Sequence, residues 1–203
     1  MSDLRVSALD HTVLVRAAEP LAAVIREALA PIEEQTGPVP ASRIEIRGAS
    51  DGRWIMDVDG EGSRPMSVGR LVAHLLEHLN ARAADSLLDE IPLHAAAVVH
   101  PGGGVIALAG SSGSGKSTLG AAAVRSGWGF VAEEVAAVRV VDRTVRPYHR
   151  PIGLRAGGAA AIGVSIPTDD WFDEVYPWPV AAASRRSGGS LLGIALVRRN
   201  DTD

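Results

Sequence analysis

The sequence predicts an α/β fold in two regions: a smaller α/β or α+β region over residues 1–90 and a P-loop core over residues 91–203. Three observations carry that expectation. Several short segments alternate apolar and polar residues with period two, as half-buried strands do. One longer segment, after Ser67, spaces its apolar residues at three and four, as a helix packed on one face does. From residue 93 a strand, a glycine-rich loop, a helix and another strand follow in turn, the order in which a P-loop core begins.

In the first region, residues 4–9 and 12–16 read as strands about a turn at Asp10-His11. Residues 21–30 read as a short helix stopped by Pro31. Residues 43–47 and 53–59 alternate and flank Gly48 and Asp51-Gly52, so they predict a hairpin. Ser67 suits the N-cap of a helix running to about residue 88, with Val72, Leu75, Leu76 and Leu79 on one stripe. In the second region, residues 93–100 and 105–109 read as buried strands joined by Pro101-Gly102-Gly103-Gly104. A helix over 116–126 and strands over 130–132 and 136–141 follow. Beyond residue 150 the pattern weakens. Residues 157–161 read as small and flexible, and 191–197 as a closing strand.

Composition narrows the function classes. Hydrophobic residues make up 46% and charged residues 22%, a globular balance rather than a disordered one. The net charge of −4 gives no global basic field for nucleic acid or an anionic membrane. With no cysteine, disulfides, thiolate metal sites and cysteine nucleophiles are excluded. Residues 1–10 lack the apolar core of a secretory signal, and no apolar run reaches the roughly 18 residues of a bilayer span. A soluble cytoplasmic protein is the expectation.

Gly110-Ser111-Ser112-Gly113-Ser114-Gly115-Lys116-Ser117 satisfies G-x-x-x-x-G-K-[ST] in full. Glycines let backbone amides curl around phosphate oxygens, and the following helix adds partial positive charge beneath them. The pattern predicts ATP with Mg²⁺: Lys116 on the β- and γ-phosphates, Ser117 on the metal, and Thr118 completing the nucleotide-binding run. Lys116 is the one lysine among 20 basic residues, placed where a compact mobile ammonium suits the chemistry better than a planar fork. Glu133 and Glu134, directly after the strand over 130–132, are the acids that could hold the metal or activate an acceptor; the alternative is an acidic turn between strands.

Leu93-His94-Ala95-Ala96-Ala97-Val98-Val99, residues 105–119, and Arg125-Ser126-Gly127-Trp128-Gly129-Phe130-Val131-Ala132-Glu133-Glu134 together resemble the catalytic domain of HPr kinase/phosphorylase and the HPr-kinase-like proteins. The shared features are a histidine-led strand, the P-loop, one helix, a glycine turn and two adjacent acids. The first acid lies 17 residues after Lys116, as in the family. The resemblance implies phosphoryl transfer from ATP to a serine hydroxyl of a peptide, protein or small molecule, as in the compact members found with peptide-modification systems. It implies Glu133 as base, Glu134 and His94 in support, Ser117 and Glu134 on Mg²⁺, and a homo-oligomer. The family pair is Asp-Asp, whereas this chain has Glu-Glu, each side chain a methylene longer. Residues 1–90 do not resemble the N-terminal domain of HPr kinases proper, which leaves them for substrate or partner recognition.

Four other readings stand beside this one. His94 also suits a hydrogen-bonded strand end. Arg185-Arg186 before Ser187-Gly188-Gly189 either approaches the γ-phosphate or acceptor, or is a solvated loop. His74-Leu75-Leu76-Glu77-His78 matches the inverted zinc-protease pattern, but on a helix these polar residues equally form the side opposite its apolar stripe. Trp171-Phe172 and Trp178 among acidic residues read as a lid, an acceptor-docking edge or a packed loop. The principal alternative function is a nucleotide-binding regulator, scaffold or weak ATPase without transfer.

Overall fold

In the computed structural model, which describes residues 1–167 and 175–199, the fold is mixed α/β with sheets and four helices among those residues. The chain divides into two units, Met1–Ser86 with Pro167–Tyr176, and Leu87–Ile166 with Pro177–Asp203.

The first unit is a five-stranded sheet in the order β1 (Ser2–Ala8), β2 (His11–Ala17), β3 (Ser42–Gly48), β4 (Trp54–Val58) and β5 (Glu61–Gly62). All neighbours are antiparallel except β2 and β3, which are parallel. Parallel neighbours need a crossover, and α1 (Leu21–Leu29) supplies it. Leu4, Val6, Val13, Val15, Ile44 and Ile46 alternate onto one buried face. α1 and α2 (Val68–Asp85) pack there through Leu21, Ile25, Leu71, Leu75 and Leu79. Ser67 caps α2, its Oγ accepting from the Arg70 amide at 3.4 Å. The opposite sheet face carries a row of charges in register, Asp3, Arg16, Glu45 and Asp57.

The second unit is built around β6 (Glu90–Val99), which pairs on one edge with β7 (Val105–Ala109). Along its other edge run β8 (Gly129–Ala132) and then β9 (Val135–Arg139), both antiparallel to it. α3 (Lys116–Arg125) connects β7 to β8, and Gly120 lets it lie close, since a Cβ there would be 3.3 Å from that of Ala96. β10 (Thr144–Val145), β11 (Ile152–Leu154), α4 (Ala156–Ala161), β12 (Tyr176–Trp178) and β13 (Gly189–Leu196) complete the unit. β11 pairs with β12, and β13 lies parallel to β7. Pairing runs β7, β13, β10, β9, β6 and back to β7, so these strands close on themselves. Ala96, Val98, Leu108, Ala121, Phe130, Ile152 and Leu154 form the core between α3 and the strands.

Residues 157–161, expected to be small and flexible, instead belong to helix α4. Packing requires the glycine at 158, where a Cβ would stand 2.4 Å from Thr118 Oγ1, whereas Gly157 faces open space. Of the acidic aromatic segment, Trp171 and Phe172 lie outside the described residues, while Trp178 packs partly buried on the core. No helix among the described residues is long and apolar enough to cross a membrane.

Candidate nucleotide site

Strand direction places the functional loops. β7 and β8 both run antiparallel to β6, so the loop after β7 and the acids after β8 emerge at the same end of the sheet. β13, parallel to β7, ends there too, with the Val197 amide donating to the Ala109 carbonyl at 2.7 Å. Carboxyl ends of neighbouring strands are where α/β folds hold ligands.

The loop from Gly110 to Ser117 turns sharply. A Cβ on Gly110 would stand 2.4 Å from the Val197 carbonyl oxygen and 2.7 Å from Ser114 Oγ, so only glycine fits. Gly113 and Gly115 have φ of +79° and +100°, a region favouring glycine, and face open space. Gly115 is the N-cap of α3. The amides of Gly113, Gly115, Lys116 and Ser117 have no acceptor among the described residues. Unsatisfied amides at a helix N-terminus form a cradle for an anion. Lys116 is buried and folds back over the loop, Nζ donating to the carbonyls of Gly110 at 2.9 Å and Ser111 at 3.1 Å. Ser111 and Ser112 are exposed on the loop, and Thr118 packs toward Gly158 of α4.

The two acids part company. Glu134 has φ +65°, and the Val135 amide bonds the Glu133 carbonyl at 2.8 Å, closing a three-residue turn around it. Positive φ is strained for a residue with a Cβ. The turn buries Glu133 and leaves Glu134 partly exposed. Ser117 Oγ donates to Glu133 Oε1 at 2.5 Å, and Glu133 Oε2 is buried without a partner. Glu134 Oε2 instead lies 3.0 Å from Nδ1 of His94, whose side chain is 58% exposed. Burial pushes the Glu133 carboxyl up to about 7, against the opposing pull of Arg150, Ser117 and Lys116. Among the described residues, the charged residues buried as whole residues are Lys116, Glu133 and Arg150.

No family model, curated protein or solved structure matches the chain.

Lys116, Ser117, Glu133, Glu134 and His94 thus come together at one sheet end. Arg185 and Arg186 do not join them. Arg185 donates to the Val180 carbonyl at 3.0 Å and 2.9 Å, and Arg186 to those of Ala183 and Arg185, so both guanidiniums staple their own loop. In the inverted zinc-protease pattern, His74 and Glu77 have exposed side chains while Nε2 of His78 is buried, so the three residues divide between surface and interior. Sequence reasoning missed Arg150 and its buried neighbour Tyr148, whose hydroxyl burial pushes up to about 12. The available signal was Pro147-Tyr148-His149-Arg150-Pro151, a charge set in a stiff stretch that leads into the apolar Ile152 and Leu154.

Proposed function

We propose that the second unit binds ATP with Mg²⁺ in the cradle formed by Gly110–Ser117 and transfers its γ-phosphate to a hydroxyl, a serine of a peptide, protein or small molecule. The observation that carries this reading is the set of unsatisfied amides at Gly113, Gly115, Lys116 and Ser117 beside a buried lysine. Phosphoryl transfer asks a protein mainly for positioning and charge stabilisation, and these groups supply both.

Mg²⁺ fits here on a structural observation: Glu133 keeps a buried carboxylate oxygen without a partner, next to the Ser117 hydroxyl. Ser117 and Glu133 would hold the ion, and when bound it neutralises charge on the phosphates. Such a place for Glu133 reverses the division of labour implied by the family resemblance. Glu134, partly exposed and oriented by His94, is then the group able to accept a proton from an incoming hydroxyl. Lys116 must leave its two carbonyls to reach a phosphate, and the anion compensates it for both bonds.

The rival reading, nucleotide binding without transfer, draws on the glutamate pair, since a misplacement of about 1 Å can cost a hundredfold in rate. Labelled ATP offered with serine-containing peptides and free amino acids, alongside a nucleotide titration, separates the two. Label moving to a hydroxyl supports transfer; tight binding with no label moved supports the rival. Glu134→Gln should keep nucleotide binding and lose transfer, whereas Glu133→Gln should weaken the dependence of binding on Mg²⁺.

A further inference from the structure

Four buried side-chain nitrogen or oxygen atoms lack a hydrogen-bond partner among the described residues, and three belong to the second unit: Ser114 Oγ, Glu133 Oε2 and Arg150 Nε. The first two flank the cradle already described. Arg150 is the unexplained member. Its residue is only 5% exposed, and its Nε is buried with no hydrogen-bond partner among the described residues. A buried guanidinium without a partner is costly, and natural proteins seldom keep one idle.

Backbone pairing says where this arginine stands. The Tyr148 amide donates to the Val131 carbonyl at 2.9 Å, and Tyr148 bridges Ala132 in parallel. Residues 148–150 therefore run alongside β8 in the same direction. They come out at the sheet end where β8 delivers Glu133 and β7 delivers the Gly110–Ser117 loop. Tyr148, Ile152 and Leu154 are buried and fix the strand on both sides of Arg150. The charge of Arg150 is the largest influence opposing burial at Glu133, so it stands near that carboxylate without bonding it. A buried cation near an anion that it does not bond is available to a third group.

We infer that Arg150 is a second phosphate-facing cation of the nucleotide site, reserved for the terminal phosphate of a triphosphate. The inference rests on the reading of residues 110–117 as a nucleotide cradle. The loop amides grip the part of the phosphate chain common to di- and triphosphates, and Lys116 spans from there to the γ-phosphate. Arg150, arriving on the segment bridged to β8 at Tyr148, meets the additional phosphoryl group that ADP lacks. Its planar fork can hold two oxygens of that group at once, and it stabilises the charge that spreads over those oxygens during transfer.

The test compares full-length wild type with Arg150→Met and Arg150→Lys, titrated by calorimetry with Mg·ADP and with a non-hydrolysable Mg·ATP analogue, with thermal melting of each free protein. Wild type should prefer the triphosphate. In Arg150→Met that preference should fall on the order of tenfold or more while ADP affinity holds. Arg150→Lys should fall between the two. Because an unpartnered buried charge is removed, free Arg150→Met should melt no lower than wild type. An unchanged triphosphate preference in both variants, with ADP bound normally, overturns the inference and leaves the cradle standing. A lower melting temperature with an unchanged preference overturns it equally, making Arg150 a structural partner of Glu133. Should wild type bind neither nucleotide, the cradle reading fails first and this one with it.

Discussion

The two units handle charge in opposite ways. In the first, charged residues sit on the outer sheet face and meet one another there. Arg16 donates to both carboxylate oxygens of Asp3 at 2.7 Å and 2.8 Å and lies 3.8 Å from Glu45, all with partly exposed side chains. In the second, Lys116, Glu133 and Arg150 are buried, and two of the three keep an atom without a partner. The second unit can satisfy a buried charge when nothing else is asked of it: Arg146 Nη1 donates to both oxygens of Glu90 at 3.0 Å. Unsatisfied groups at one sheet end are therefore a local feature, set where β7 delivers a glycine loop, β8 an acid and the segment bridged to β8 an arginine. Solvated charges keep a face wet at little cost in stability, whereas buried unpaired ones store an unfavourable energy that a ligand of matching charge can release.

Substitutions can sharpen this contrast, beginning with the largest effect. Lys116→Ala should lower affinity for Mg·ATP about a hundredfold or more, since a charge-assisted contact of about 3 kcal/mol is removed; calorimetric titration reads it. Next comes Gly110→Ala, whose Cβ meets the Val197 carbonyl and Ser114. It should cost about 1–3 kcal/mol in chemical denaturation and weaken nucleotide binding as well.

Glu133→Gln gives a pH-dependent effect. In the folded protein burial holds the Glu133 carboxyl near 7, above its ordinary 4.5. Below 4.5 the group is protonated whether the chain is folded or not, so it costs nothing. As pH rises through that window the unfolded chain ionises first, and folding stability falls, by roughly 3 kcal/mol once both states are ionised. The ligand-free variant should therefore gain on wild type at pH 8 and match it near pH 4, read from denaturation at each pH. An equal difference at both would mean that folding leaves the proton affinity of Glu133 unchanged. Smallest of all, Asp3→Asn should leave the melting temperature nearly unchanged, because its pair with Arg16 is solvated and screened.

Legibility in the sequence follows the same division. Strands of the first unit were readable because one face is apolar and the other charged, which imposes a clean period of two. The parallel pairing of β2 and β3 was not, since alternation says nothing about strand order. Gly113 and Gly115 were readable as turn glycines because both take positive φ, whereas the need for Gly110 comes from the distant Val197 carbonyl. Glu133 and Glu134 were visible as a pair, but their separation into a buried and an exposed acid depends on the positive φ of Glu134. Nothing in the residue type announces that conformation. Arg150 escaped notice because its role comes from long-range pairing with β8. β10, β11 and β12 are two or three residues long, too short for any periodic signal.

The most direct measurement of the central claim is an amide-resolved magnetic resonance titration of the full chain with Mg·ATP. The largest shifts should fall on the amides of Gly113, Gly115, Lys116 and Ser117, with Arg150 Nε following them and residues 1–86 nearly still. Saturable binding that leaves those four amides unmoved, or no binding at millimolar nucleotide, would contradict it.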